Sequence, residues 1–246
     1  MLLALFLIDL AAGLYLFLPL VGRRNAGVKF YRLILIVSGS LLVCAAAAHA
    51  LANARQLALI DGALALLTVV VYFTLRYPKR LIFRIPAAAL GGLYVGEAVW
   101  VWSGTTDSTL AWSIAGALSS IALLGSVNLA MLLGHWYLVV RGMSIDPLKR
   151  LTIATLAGTI MRAIVVAAAL LVPGVWAGIA IRQGIFFWMR VGWGLLGPLA
   201  LYPMVWGTVK IRSTMAATGI LYVDVVAVVI GELLGGWLSA VAHVPV

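Results

Sequence analysis

The sequence predicts an all-α, polytopic transmembrane helix bundle of about eight spans, with both termini on the outer, non-cytoplasmic side. Three observations carry this. Hydrophobic residues make up 65% of the 246 positions and charged residues only 10%, where a soluble domain carries about 25% charged residues. Apolar runs of about 20 residues recur, the length a helix needs to cross a hydrocarbon core. Short Arg/Lys clusters separate those runs on one side only. Apolar surface on this scale is hidden only by lipid, and runs of this length argue for helices rather than a barrel. Residues 1–246 therefore read as a single integral membrane domain whose first partner is the lipid bilayer.

The runs fall at about 2–21, 30–51, 56–75, 82–102, 111–140, 151–172, 185–206 and 215–237, with ends uncertain by about 2–4 residues. The first run lacks a basic leader and holds Asp9, so it reads as a retained span rather than a cleaved signal peptide. The fifth is long enough to tilt. The sixth ends at Pro173-Gly174, and a loop through Trp176, Arg182 and Gln183 leads to the seventh.

The turns after the odd-numbered spans hold Arg23, Arg24, Lys29 and Arg32; Arg76, Lys79, Arg80 and Arg84; Arg141, Lys149 and Arg150; and Lys210 and Arg212. The other side has Arg55 and Arg182 alone. Basic turns stay cytoplasmic, which sets the expected orientation and points to a bacterial cytoplasmic membrane. Trp100, Trp102, Trp112, Trp176, Trp188 and Trp237 near the opposite ends read as an interfacial belt. The net charge of +10 belongs to these turns, so it signals topology and contact with anionic lipid rather than nucleic acid. Small residues four apart, at Gly92 and Gly96, Ser126-Ala130-Gly134, Ala154-Gly158 and Gly231-Gly235, read as close helix-packing faces.

Ionisable residues inside the spans are the candidate functional residues, because each is costly in lipid and must face another polar group or a wet cavity. Residues equidistant from the centre of a tight turn lie at similar depth on the two helices of a hairpin. That arithmetic pairs Asn128 with Arg162 about Ile145, Asp61 with Glu97 about Lys79, and Arg190 with Glu232 about Ile211. Asp9 falls at a comparable level, and Asp224 lies nearer mid-membrane, within expected reach of Arg162. The layer is expected roughly 15–25 Å from the inner face at 1.5 Å per residue. Asp61 and Glu97 at one depth repel, so they share a proton or hold a cation, unless Asp61 reaches outer water. Arg190 with Glu232 also reads as a structural ion pair.

His135, beside Trp136 and Tyr137, invites a haem or quinone reading, or that of a solvated interface residue. Three histidines are too few for two bis-histidine haems. His49 with His243 is the one same-side pair, and His243 sits in a tail expected to fray, which argues against an intrinsic haem. Cys44 is the single cysteine, so neither a disulfide within the chain nor a cysteine metal cluster is possible. Metal-ligand spacings, phosphate-binding glycine loops and serine-nucleophile elbows are absent from the sequence.

These features lead to an expected membrane-embedded subunit of an electron-transfer complex of respiratory type. It would work with other membrane or peripheral subunits rather than catalyse alone. A quinone is the expected carrier, because its carbonyls need hydrogen-bond donors and a proton route. Asn128, His135 and Arg162 are the candidate quinone or polar-cavity residues. Asp9, Asp61, Glu97, Arg190, Asp224 and Glu232 are the candidate proton-path or ion-pair residues. A small proton- or cation-coupled transporter using the same layer is the alternative, and a structural scaffold the third reading.

Overall fold

The computed structural model describes residues 1–75, 80–140 and 142–246, and their side chains apart from Arg24 and residues 80–84. Arg76, Lys79 and Arg141 of the basic turns lie outside the described residues, as do the side chains of Arg80 and Arg84. The helices are α1 (Leu2–Val21), α2 (Arg23–Leu51), α3 (Arg55–Thr74), α4 (Arg80–Thr106), α5 (Leu110–Val139), α6 (Asp146–Leu170), α7 (Gly184–Val191), α8 (Gly197–Lys210) and α9 (Thr214–Ala242). Among the described residues there is no strand. Among the described residues eight helical segments are long and apolar enough to cross a membrane, α7 and α8 joining into one such segment over Gly184–Lys210.

Backbone chemistry sets the breaks. Gly22, at φ 72°, turns the chain from α1 into α2, and Gly27, at φ 77° and ψ 170°, kinks α2 within its first turns. The chain expected as a loop before the seventh span includes a π-helical turn, Ala177–Ile181. A second π-helical stretch, Gly192–Leu196, interrupts the seventh span itself just before Pro198, which offers no N–H to the helix.

α5 is the axis of the bundle, with α1, α4, α6 and α9 packed around it and α2 and α3 outside α1 and α4. Glycines allow the tightest crossings. A Cβ on Gly13 of α1 would come within 2.5 Å of the Gly125 Cα of α5, and one on Gly231 of α9 within 2.2 Å of the Gly194 Cα. Backbones therefore touch at both crossings, as small residues permit where no hydrophobic effect drives helices together. Gly158 packs on the α5 backbone and Gly134 on Thr218, whereas Gly92 and Gly96 have open space above them and are not packing positions.

The helix ends that carry the described basic turns lie at one end of the bundle, called the basic end, and of the buried charges Asp9, Asp61, Glu97, Arg162, Arg190 and Glu232 lie nearer the other, while Asp224 lies nearer the basic end. Trp100, Trp176 and Trp188 are exposed on the bundle surface near that opposite end. Trp102 is not a belt residue. It is 1% exposed and points into the core.

Candidate functional site

Two buried polar clusters occupy the half of the bundle away from the basic end. Asp9, Asp61, Glu97, Arg162, Arg190 and Glu232 sit six to ten residues from the helix tips there, roughly 9–15 Å at 1.5 Å per residue.

The first cluster joins six helices. Glu232 of α9 is its hub. Arg162 of α6 donates from Nε to Glu232 Oε1 at 3.1 Å, and its Nη2 lies 3.1 Å from Oε2. Arg190 of α7 donates from Nη2 to Oε1 at 2.8 Å. Arg162 Nη1 also donates to Ser119 Oγ of α5 at 3.2 Å, and its guanidinium lies 5.4 Å from the centre of the Trp102 ring. Trp102 Nε1 of α4 donates to Asp9 Oδ2 of α1 at 2.9 Å. Ser120 stands beside both Asp9 and Glu232. With every member ionised, two arginines and two carboxylates cancel. The forked carboxylate of Glu232 shared by two guanidiniums is the strong form of such a contact. A void of about 10 Å³ bordered by Asp9, Trp102, Ser120 and Glu232 is roughly the size of one water.

The second cluster lies on α2, α3 and α4. His49 Nδ1 is 2.7 Å from Asp61 Oδ2, with both side chains fully buried. The Glu97 carboxyl faces Asp61. Among the described residues neither carboxyl has an arginine or lysine ion-pair partner. The polar line continues toward the basic end. Tyr94 lies one turn along α4 from Glu97, and its hydroxyl is 2.9 Å from Thr68 Oγ1 of α3. The Tyr94 ring stacks on Tyr15 of α1 at 5.2 Å.

Tyr15 opens onto a large, partly polar cavity. It measures about 730 Å³ and lies among α1, α2, α3 and α4, with Arg23 and Tyr31 toward the basic end and Gly91, Gly92 and Val95 along the α4 wall. Tyr15 donates to the Ala87 carbonyl at 2.9 Å and Tyr31 to that of Leu18 at 3.1 Å; the Arg23 guanidinium reaches the Leu75 carbonyl. The volume falls in the usual range for a small-molecule site, about 300–1,000 Å³. Sequence reasoning missed this cavity, because its walls come from helices whose facing sides no single hairpin reveals. A second groove of about 690 Å³ between α2 and α3 is walled mainly by apolar residues and includes Cys44.

Several expected pairings are corrected. Asn128 does not face Arg162; its Nδ2 donates to the Leu124 carbonyl of its own helix at 2.8 Å. The turn between α5 and α6 is centred between Val139 and Asp146 rather than at Ile145, which shifts the depth match away from Asn128. Asp224 does not join Arg162 either. It faces Thr152, Thr155 and Tyr202 on the basic-end side of the network. His135 is exposed, with Nδ1 3.4 Å from the Tyr222 hydroxyl, and borders neither large cavity. The tail is not frayed: Val244 and Val246 are buried, and His243 Nδ1 sits 2.9 Å from the Thr106 carbonyl. His49 and His243 thus have separate partners. The structure does bring Asp61 to Glu97 and Arg190 to Glu232. Among the described residues no three His, Cys, Asp or Glu side chains converge as metal ligands.

The eight apolar helices and their buried polar layer define an integral, multi-pass membrane protein. Comparison with protein-family models, curated proteins and solved structures finds no match in any of the three.

Proposed function

We propose that the protein is the membrane-embedded subunit of an electron-transfer assembly, holding a quinone-type carrier in the α1–α4 cavity and exchanging protons through Glu97, Asp61 and His49. One observation carries this reading. The cavity wall formed by Tyr15 abuts Tyr94, and Tyr94 leads along the α4 face to the carboxyl pair and its imidazole. An apolar cavity with tyrosine hydroxyls and a guanidinium at one end suits a carrier with an isoprenoid-like tail and a polar head. Oxidation of the quinol gives up two electrons and two protons. The electrons pass to a redox partner subunit, and the protons to the carboxyl pair. Two facing carboxyls titrate as a unit, so they take the two protons one after the other and pass each on to His49. His49, two residues from the end of α2, is the exit toward the opposite face.

The Arg162–Glu232–Arg190–Asp9 network then fixes the six-helix frame beside this path. In this reading the basic turns are cytoplasmic by the positive-inside rule, both termini are outside, and the carrier cavity opens toward the cytoplasm of a bacterial cytoplasmic membrane. The test is carrier binding by the purified chain in nanodiscs. A quinone analogue should bind wild type saturably and lose about tenfold in affinity with Gly91→Leu, which fills the cavity wall. Unchanged binding in Gly91→Leu removes the cavity from the account.

A second reading, a proton- or cation-coupled transporter, is favoured by the seventh span. The π-helical stretch at Gly192–Leu196 beside Arg190 widens an otherwise continuous helix, a feature frequent at functional sites. Solute uptake by liposomes holding this chain alone, driven by a pH gradient, would support it over the first.

A further inference from the structure

We infer that Asp224 is the centre of a site for a small monovalent cation, Na⁺, held between α6, α8 and α9. Asp224 is 2% exposed, its Oδ1 meets no hydrogen-bond donor, and among the described residues no Arg, Lys or His forms an ion pair with it. A carboxylate so placed stays ionised only with a cation beside it. It borders a cavity of about 10 Å³ whose wall includes Thr152, Thr155 and Tyr202.

The two threonines beside Asp224 offer it oxygens rather than hydrogens. Thr152 donates its hydroxyl hydrogen to the Leu148 carbonyl at 2.8 Å, and Thr155 donates to Leu151 at 3.0 Å. With their hydrogens committed, neither can donate to the carboxylate, and both present oxygen lone pairs. A carboxylate with hydroxyl oxygens is a ligand set for a hard cation. One carboxylate balances one positive charge, whereas calcium sites gather six to eight oxygens, several from carboxylates. The void has room for about one water-sized particle, which admits a dehydrated Na⁺ and excludes an organic solute.

The site lies ten residues into α9 and its Thr155 nine residues into α6, roughly 15 Å from the basic end at 1.5 Å per residue. Both helices also contribute to the charged network about two turns further on, through Arg162 and Glu232. Cation binding would therefore brace the same pair of helices, beside the interrupted seventh span. None of this depends on the carrier cavity.

The test is thermal unfolding of the full chain in mild detergent, with NaCl, KCl or choline chloride at equal ionic strength. Na⁺ is expected to raise the midpoint by several degrees where K⁺ and choline do not. Asp224→Asn should abolish the shift, and Thr155→Val should raise the half-saturating Na⁺ concentration about tenfold. Radioactive Na⁺ binding to wild type guards against a variant that fails to fold, with saturable uptake expected. A wild-type midpoint indifferent to Na⁺, a Na⁺ shift retained in Asp224→Asn, or an absence of saturable binding would each overturn the assignment.

Discussion

His49 Nδ1 lies 2.7 Å from Asp61 Oδ2, across the short turn that joins α2 to α3, with neither side chain reaching the surface. The Glu97 carboxyl also faces Asp61. If this triad carries protons, its middle member is the sensitive one. Asp61→Asn keeps the shape and removes the titrating group, so proton release coupled to quinol oxidation should fall at least about tenfold, general acid–base transfer being worth about 10²–10⁴-fold. Stopped-flow release with a pH dye in reconstituted vesicles measures it. His49→Gln should slow release while leaving carrier affinity unchanged, since His49 does not border the cavity.

Glu232 is shared by two guanidiniums, so it should be the most costly charge to remove. Glu232→Gln leaves Arg162 and Arg190 facing each other without a carboxylate between them. Breaking a buried pair costs about 3–5 kcal/mol, so the variant should unfold at much lower temperature or denaturant concentration. Combining it with Arg190→Met removes one of the stranded charges and should recover part of the loss. Denaturant unfolding in detergent micelles reads both.

Gly13 and Gly125 hold α1 against the bundle axis with no room for a methyl group. Gly125→Ala should force the two backbones apart and cost about 1–3 kcal/mol, the usual range for overpacking, with early thermal aggregation as the readout. Gly96→Ala, at an open position, should be close to neutral.

His135 is exposed and borders neither large cavity. His135→Ala should leave carrier binding and stability unchanged within about 0.5 kcal/mol, as surface substitutions usually do. The same assays on this variant serve as the control for the buried positions.

The spans and the pairing of Arg190 with Glu232 were legible because both follow from distance along the chain. Hydropathy sets where a helix begins and ends, and a tight turn equates depths on the two helices it joins. The partner of Arg162 was not legible that way. Glu232 is 70 residues distant on a helix that shares no turn with α6, and the face each helix turns inward is set by packing across the bundle. The Gly13–Gly125 crossing was hidden for the same reason, since Gly13 is the one glycine of α1 and Gly125 one of three in α5, and neither run says which faces which. His49 could have been found. Equal-depth counting about the basic turns omits the turns at the other end, where three residues separate α2 from α3 and bring His49 within a few helical turns of Asp61. Trp102 shows the reverse error, because an aromatic near a helix end reads as an interface anchor until its indole N–H is seen to meet a buried carboxylate.

The most direct measurement of the central claim is purification of the intact chain in mild detergent, with mass spectrometry of everything that accompanies it. The expected result is a quinone retained near one per chain, together with at least one redox-active subunit, and loss of that quinone in Gly91→Leu. A chain that purifies alone and without quinone, and that moves a solute across liposomes on a pH gradient, would contradict it.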